Sequence, residues 1–172
     1  MRRRILVPLV AVLAAGGLAV GTSASMAGAS VSAKAVPACA GKTKKQAIKD
    51  IKLAFDYFLD GAKGYTPDQK APYIEGMDKD PAFKDLLVKG QAANAAAAAT
   101  TNVKVSKVVC KDKKNAVVTA DLVISGKVTP GIFPNPGSAV LVGKVWQVTK
   151  QNYCDLNALG DPTILESGPC AG

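Results

Sequence analysis

Histidine is absent from the 172-residue chain, and every arginine lies in the run Arg2-Arg3-Arg4. Without His, a Ser-His-Asp triad, a Cys-His dyad and a His-ligated zinc site are excluded. Aromatic residues make up only 5%, too few for a platform on which nucleic-acid bases stack. Beyond Arg4 all the positive side-chain charge sits on 19 Lys. Lysine lacks the bidentate fork that reads guanine in the major groove, so sequence-specific nucleic-acid recognition has no support. A C-x-x-C pair, a phosphate-cradling glycine loop and a cluster with metal-ligand spacing are missing too. No metal and no cofactor is expected.

Residues 1–29 read as a secretory signal peptide. Arg2, Arg3 and Arg4 form the positive n-region, and Ile5 to Val20 is uncharged and rich in Leu, Val and Ala. Small-residue cleavage sites follow at Ser25-Met26-Ala27 and Ala27-Gly28-Ala29. The apolar run is about 16 residues long, short of the ~20 a helical span needs, and is interrupted by Pro8, Gly16 and Gly17. An uncleaved anchor is the alternative reading. No later run is long enough to span a bilayer, so the processed chain is expected to be secreted, or associated with the cell envelope. Cleavage leaves 19 Lys against 13 acidic residues, a net charge of +6. Such a surface keeps a domain soluble and gives it a weak attraction to anionic polymers and headgroups.

Four cysteines in an exported chain imply two disulfides. Three pairings are open. Cys154 and Cys170 bracket a segment with Gly160, Pro162, Gly168 and Pro169, which suits a loop closed on itself and leaves Cys39 for Cys110. Closing a loop of that size stabilises by roughly 3 kcal/mol in the chain-entropy description.

Residues 30–41 form a linker of small residues, and 42–172 a single domain. Thr43-x-x-Gln46 is a capping box, after which Ile48, Ile51, Phe55, Phe58, Leu59 and Ala62 share one helical face. Lys49, Lys52, Asp56 and Asp60 fall on the opposite, solvated side, and Gly61 or Gly64 supplies the stop. Thr66-Pro67-Asp68-Gln69 starts a second helix of one or two turns, limited by Pro72 and ending near Gly76. Asp80-Pro81 starts a third over 81–97, striped by Phe83, Leu86, Leu87, Gly90, Ala93 and Ala97, with Asn94 at the rim.

The period then changes to two. Residues 102–110 are rich in Val, and Ala116, Val118, Ala120, Leu122 and Ile124 alternate with Val117, Thr119, Asp121 and Val123, as in a half-buried strand. Lys111 to Asn115 reads as a hairpin loop, and 139–149 as a third strand containing Leu141, Val145, Trp146 and Val148. The Pro-rich loop Thr129 to Gly137 cannot pair internally. It carries Ile132 and Phe133, either tucked in as a lid or exposed as a partner contact. A short helical turn at 153–159 and the Cys170 tail finish the chain. Helices first and strands after make an α+β fold, with three N-terminal helices packed on an antiparallel sheet of at least three strands.

Ala47–Leu59, Thr66-Pro67-Asp68-Gln69 with Glu75-Gly76, and Ala116–Gly126 together resemble a known group. So does Val145-Trp146-Gln147-Val148-Thr149 leading into Tyr153-Cys154-Asp155-Leu156, with Pro169-Cys170 closing the chain. The group is the low-molecular-weight secreted antigen family of mycobacteria and other actinobacteria. The resemblance covers roughly residues 42–170 and is most distinctive from Trp146 to Cys170. It implies a small cone with a curved sheet, similar to nuclear transport factor 2 and, more loosely, to cystatin. It carries no catalytic residues.

Cones of that kind hold a pocket between sheet and helices. Phe55, Phe58, Met77, Phe83, Leu87 and Trp146 are the candidates to line it around a small apolar ligand, or else to fill it as core. An envelope protein docking on Ile132 and Phe133 is the second binding reading. The enzymatic alternative, isomerase- or dehydratase-like, needs an Asp/Tyr pair: Asp56 or Asp121 as base, with Tyr57, Tyr65, Tyr73 or Tyr153 as donor. Both carboxylates read more simply as solvated surface groups. The expectation is therefore a non-enzymatic binding domain.

Overall fold

Side-chain caps start the helices. The Thr43 hydroxyl accepts the Gln46 backbone N–H at 3.3 Å at the head of α1 (Lys44–Leu59). Thr66 and Gln69 cap each other reciprocally, at 3.3 and 2.9 Å, and open α2 (Pro67–Lys70), which tightens into a 3-10 turn at Ala71–Tyr73. The Asp80 carboxylate accepts the Phe83 N–H at 3.1 Å ahead of α3 (Pro81–Ala93). This computed structural model describes residues 39, 43–130, 133 and 136–171. The expected leader at 1–29, the linker apart from Cys39, and Ile132 lie outside the described residues.

The third helix does not run unbroken to 97. Asn94, at φ −111° and ψ 15°, leaves the helical region, and α4 (Ala95–Ala98) follows as a separate turn. Its amide side chain donates to the Gly90 carbonyl at 2.9 Å, the local alternative to helix continuation that Asn offers.

Five antiparallel strands follow: β1 (Thr101–Cys110), β2 (Asn115–Ile124), β3 (Lys127–Thr129), β4 (Gly137–Val142) and β5 (Val145–Val148). Their order is β1-β2-β4-β5, with β3 pairing the far end of β2. Residues 139–149, expected as one strand, are split by a turn at Gly143 (φ +59°) and Lys144, a glycine-first hairpin turn that returns β5 onto β4. A bulge between Val105 and Lys107 shifts the β1–β2 register and adds twist to the curled sheet. Ala116, Val118, Ala120 and Leu122 are buried on its inner face.

The helices do not all precede the sheet. Thr149 caps α5 (Lys150–Ala158), a full helix where only a short turn was expected, and its Tyr153 ring meets Phe83 edge-on at 5.0 Å. α1 lies across β1 and β5 with Ala47, Ile51, Ala54, Phe55, Phe58 and Leu59 buried. Ile48 is only partly buried and Ala62 is exposed. Two disulfides brace the ends: Cys39–Cys110 holds the N-terminal arm to the end of β1, and Cys154–Cys170 holds the tail to α5.

Candidate functional site

Where the C-terminal end of α1 meets α3, α4 and α5, the core is left open as a cleft of about 380 Å³. Phe58 and Leu59 of α1, Leu87 of α3, Leu122 of β2, and Tyr153 and Leu156 of α5 supply its apolar walls. The rim is polar. Gln91 donates to the Tyr65 carbonyl at 3.1 Å, Asn94 to that of Gly90 at 2.9 Å, and Asn157 to that of Tyr153 at 2.8 Å. Their amide groups are thereby held by backbone, and the rim geometry is set before any ligand arrives. An apolar hollow with a few fixed polar groups is the usual form of a small-molecule site.

Of the six residues expected to line a pocket, Phe58 and Leu87 do so. Phe55, Met77, Phe83 and Trp146 are core, each no more than 3% exposed. Of the two placements open to Phe133, the structure has the tucked one: it is buried, with its ring edge-on to Phe55 at 5.8 Å. Gly137 makes the room, since a Cβ there would come within 2.7 Å of the Phe133 ring. Phe133 therefore offers no exposed contact point.

One cleft residue gave no signal in the sequence. Lys70, at the end of α2, is 5% exposed and lines the cleft. Its ammonium donates to the Phe58 carbonyl at 3.3 Å, and no carboxylate lies within ion-pair distance among the described residues. Burial pushes its pKa below the ordinary lysine value, with the charge of Asp60 acting in the opposite sense.

Asp60 is itself a correction. Expected on the solvated face, it is 3% exposed, because α1 ends there and its backbone turns to an extended conformation. Its carboxylate accepts the Lys63 N–H at 3.1 Å and lies 3.5 Å from the Lys63 ammonium. It does not line the cleft.

The Asp/Tyr candidates fall elsewhere. Asp56 pairs with Lys63 at 2.6 Å and accepts the Tyr65 hydroxyl at 3.2 Å, on the outer face of α1. Tyr57 stacks on Tyr73 there and meets Tyr65 at a tilt of 30°, with centroids 4.2 Å apart in each case. Asp121 lies opposite Lys104 in the β1–β2 register, on the outer side of the sheet. Tyr153 alone reaches the cleft, and burial raises its pKa well above the phenol range. An Asp–Tyr hydrogen bond thus exists, but not inside the cleft.

Charge is distributed unevenly. Residues 101–148, the span of the sheet, contain seven Lys and two Asp, whereas residues 43–100 contain nine Lys and eight acidic residues. All seven of those lysines are exposed. One of the two aspartates is used locally: Asp112 accepts the Lys114 and Asn115 N–H groups at 2.7 and 2.9 Å and shapes the hairpin loop. Among the described residues no group of His, Cys, Asp and Glu is placed to hold a metal, and no helix is long and apolar enough to cross a membrane.

A family model described as low molecular weight antigen MTB12, C-terminal domain, matches residues 44–163. No curated protein and no solved structure matches the chain.

Proposed function

The chain belongs to the low molecular weight antigen MTB12 family through that C-terminal domain, and from this premise we propose an exported, non-enzymatic binding domain. It acts outside the cytosol, free or at the cell envelope, and takes a small apolar ligand in the cleft between α1, α3 and α5. The cleft carries this reading: its walls are apolar, its rim amides are already engaged, and the only Asp–Tyr hydrogen bond among the described residues lies on another face. Two disulfides agree with an oxidising compartment.

The test is a panel of fatty acids and sterols read by methyl NMR of the disulfide-bonded protein. Leu87, Leu122 and Leu156 methyls shift if the cleft is the site, while Val105 and Val128, which do not line it, stay put. Silence of all three leucines across the panel removes the reading. Trp146 is a poor reporter, because it lies in the core and not on the cleft wall.

A second contact has its own support in the segregated lysines. The outer face of the sheet and its Lys111–Lys114 loop form a surface for anionic polymers, held by diffuse attraction and weakened by salt.

A further inference from the structure

The buried ammonium of Lys70 has a chemical consequence for what the cleft accepts. A lysine ammonium carries three donors and no acceptor. Here one donor has a partner, the Phe58 carbonyl, and the residue is 95% removed from solvent on an apolar wall. Neighbouring carboxylates are committed elsewhere: Asp68 pairs with Lys84, and Glu75 accepts the Lys150 backbone N–H at 3.1 Å. Asp60, whose charge reaches Lys70 only from beyond ion-pair distance, caps and pairs with Lys63. A buried cation with a single neutral acceptor is electrostatically incomplete, and a buried charge is stable when a counter-charge and further hydrogen bonds complete it.

We propose that the cleft is a site for an anionic amphiphile, a carboxylate on a short hydrocarbon chain. The carboxylate binds the Lys70 ammonium, and the chain lies along Leu87, Leu122 and Leu156. The inference rests on the cleft reading above and adds the headgroup to it. The aliphatic walls suit a chain, and Lys70 supplies the opposite charge that a purely apolar pocket would lack. The rim amides each have one N–H held by a backbone carbonyl and carry no charge, so the donor that distinguishes a carboxylate from an alcohol is the Lys70 ammonium.

The experiment compares octanoate with octan-1-ol by calorimetry and methyl NMR on the disulfide-bonded protein. It uses the wild type and the Lys70→Met and Lys70→Gln variants. In the wild type octanoate binds at least tenfold more tightly than the alcohol. Both variants lose that preference while keeping the alcohol's affinity within a factor of three. A ¹⁵Nζ resonance of Lys70 that moves with octanoate and not with octanol places the contact on the ammonium. Equal affinities for the two ligands in the wild type, or a preference that survives both substitutions, overturn the headgroup assignment and leave the apolar cleft standing. No binding of octanoate overturns the inference, while the cleft reading stands or falls on the fatty-acid and sterol panel. If Lys70→Met fails to fold, the neutral, polar Gln variant and the wild-type resonance still decide.

Discussion

Replacing Gly61 with Ala tests the joint between α1 and the start of the sheet, from which the cleft hangs. Gly61 and Ala62 both donate to the Thr101 carbonyl, at 3.0 and 3.1 Å, so the helix end is tied to β1 by its own backbone. A Cβ at Gly61 would overlap the Ala98 carbonyl oxygen and lie 2.7 Å from its carbonyl carbon and 2.8 Å from its Cα. The obstacle is backbone, so no side chain can rotate away. Overpacking of this kind costs about 1–3 kcal/mol, and the two threatened hydrogen bonds are worth about 1 kcal/mol each, for a loss of roughly 3–5 kcal/mol. Gly64→Ala is the control. That residue sits at φ +66° with nothing within 4 Å, so Ala pays only the left-handed conformation, about 1–2 kcal/mol. Urea unfolding separates the two. With a slope of about 2 kcal/mol/M, Gly61→Ala lowers the midpoint by roughly 2 M and Gly64→Ala by less than about 1 M. Should Gly61→Ala unfold no earlier than Gly64→Ala, α4 swings away freely and the joint is not rigid.

Three further outcomes follow from the same geometry. Cys39→Ala with Cys110→Ala opens a separation of 71 residues and Cys154→Ala with Cys170→Ala one of 16. Loop entropy therefore makes the first pair cost about 4 kcal/mol and the second about 3, and calorimetric unfolding that ranks them the other way contradicts the account. Lys70→Met removes an incompletely paired buried charge and should stabilise the unliganded protein by about 1 kcal/mol at pH 7, after the lost bond to Phe58 is counted. Since the folded pKa of Lys70 lies below its ordinary value of 10.5, the unfolded chain binds more protons in the window between the two, and this group's contribution to stability rises with pH. The advantage of Met over Lys therefore shrinks as pH climbs toward 10.5, and stability curves that run parallel in pH refute the assignment. Reversing Lys104, Lys107, Lys111, Lys113 and Lys114 to Glu should lower the salt needed for elution from a polyanionic resin. The shift should exceed that from reversing Lys44, Lys45, Lys49, Lys52 and Lys89 on the helices, and equal elution removes the sheet surface as a contact.

What could be read before the structure was whatever chemistry is local. Thr43, Thr66 and Asp80 announce their helices because a cap and its donor lie three residues apart, and β2 announces itself by strict alternation. The Gly143-Lys144 turn was harder, because Val142 and Val145 on either side continue the apolar run and mask it. The fifth helix was understated for a tertiary reason: its sequence has little amphipathic contrast, and Tyr153 and Cys154 are buried by Phe83, Phe58 and a disulfide to the tail. The cleft was only half legible. Phe58 and Leu87 carry the same apolar signature as Phe55 and Phe83, and nothing along the chain says which of them faces a gap. Lys70 and Asp60 left no trace at all, since their burial comes from elements converging around the end of α1.

β1 is one of the outer strands of the sheet, a place where a second polypeptide could add by backbone pairing and begin a fibre. This chain closes that opening along its length. The Gly61–Ala62 backbone occupies the Thr101 end, the kink between Val105 and Lys107 spoils a straight template in the middle, and charged Lys104 and Lys107 flank it. At the far end Cys110 is tethered covalently to Cys39. The joint that shapes the cleft therefore also caps one end of an open sheet edge, where backbone groups would otherwise await a pairing strand.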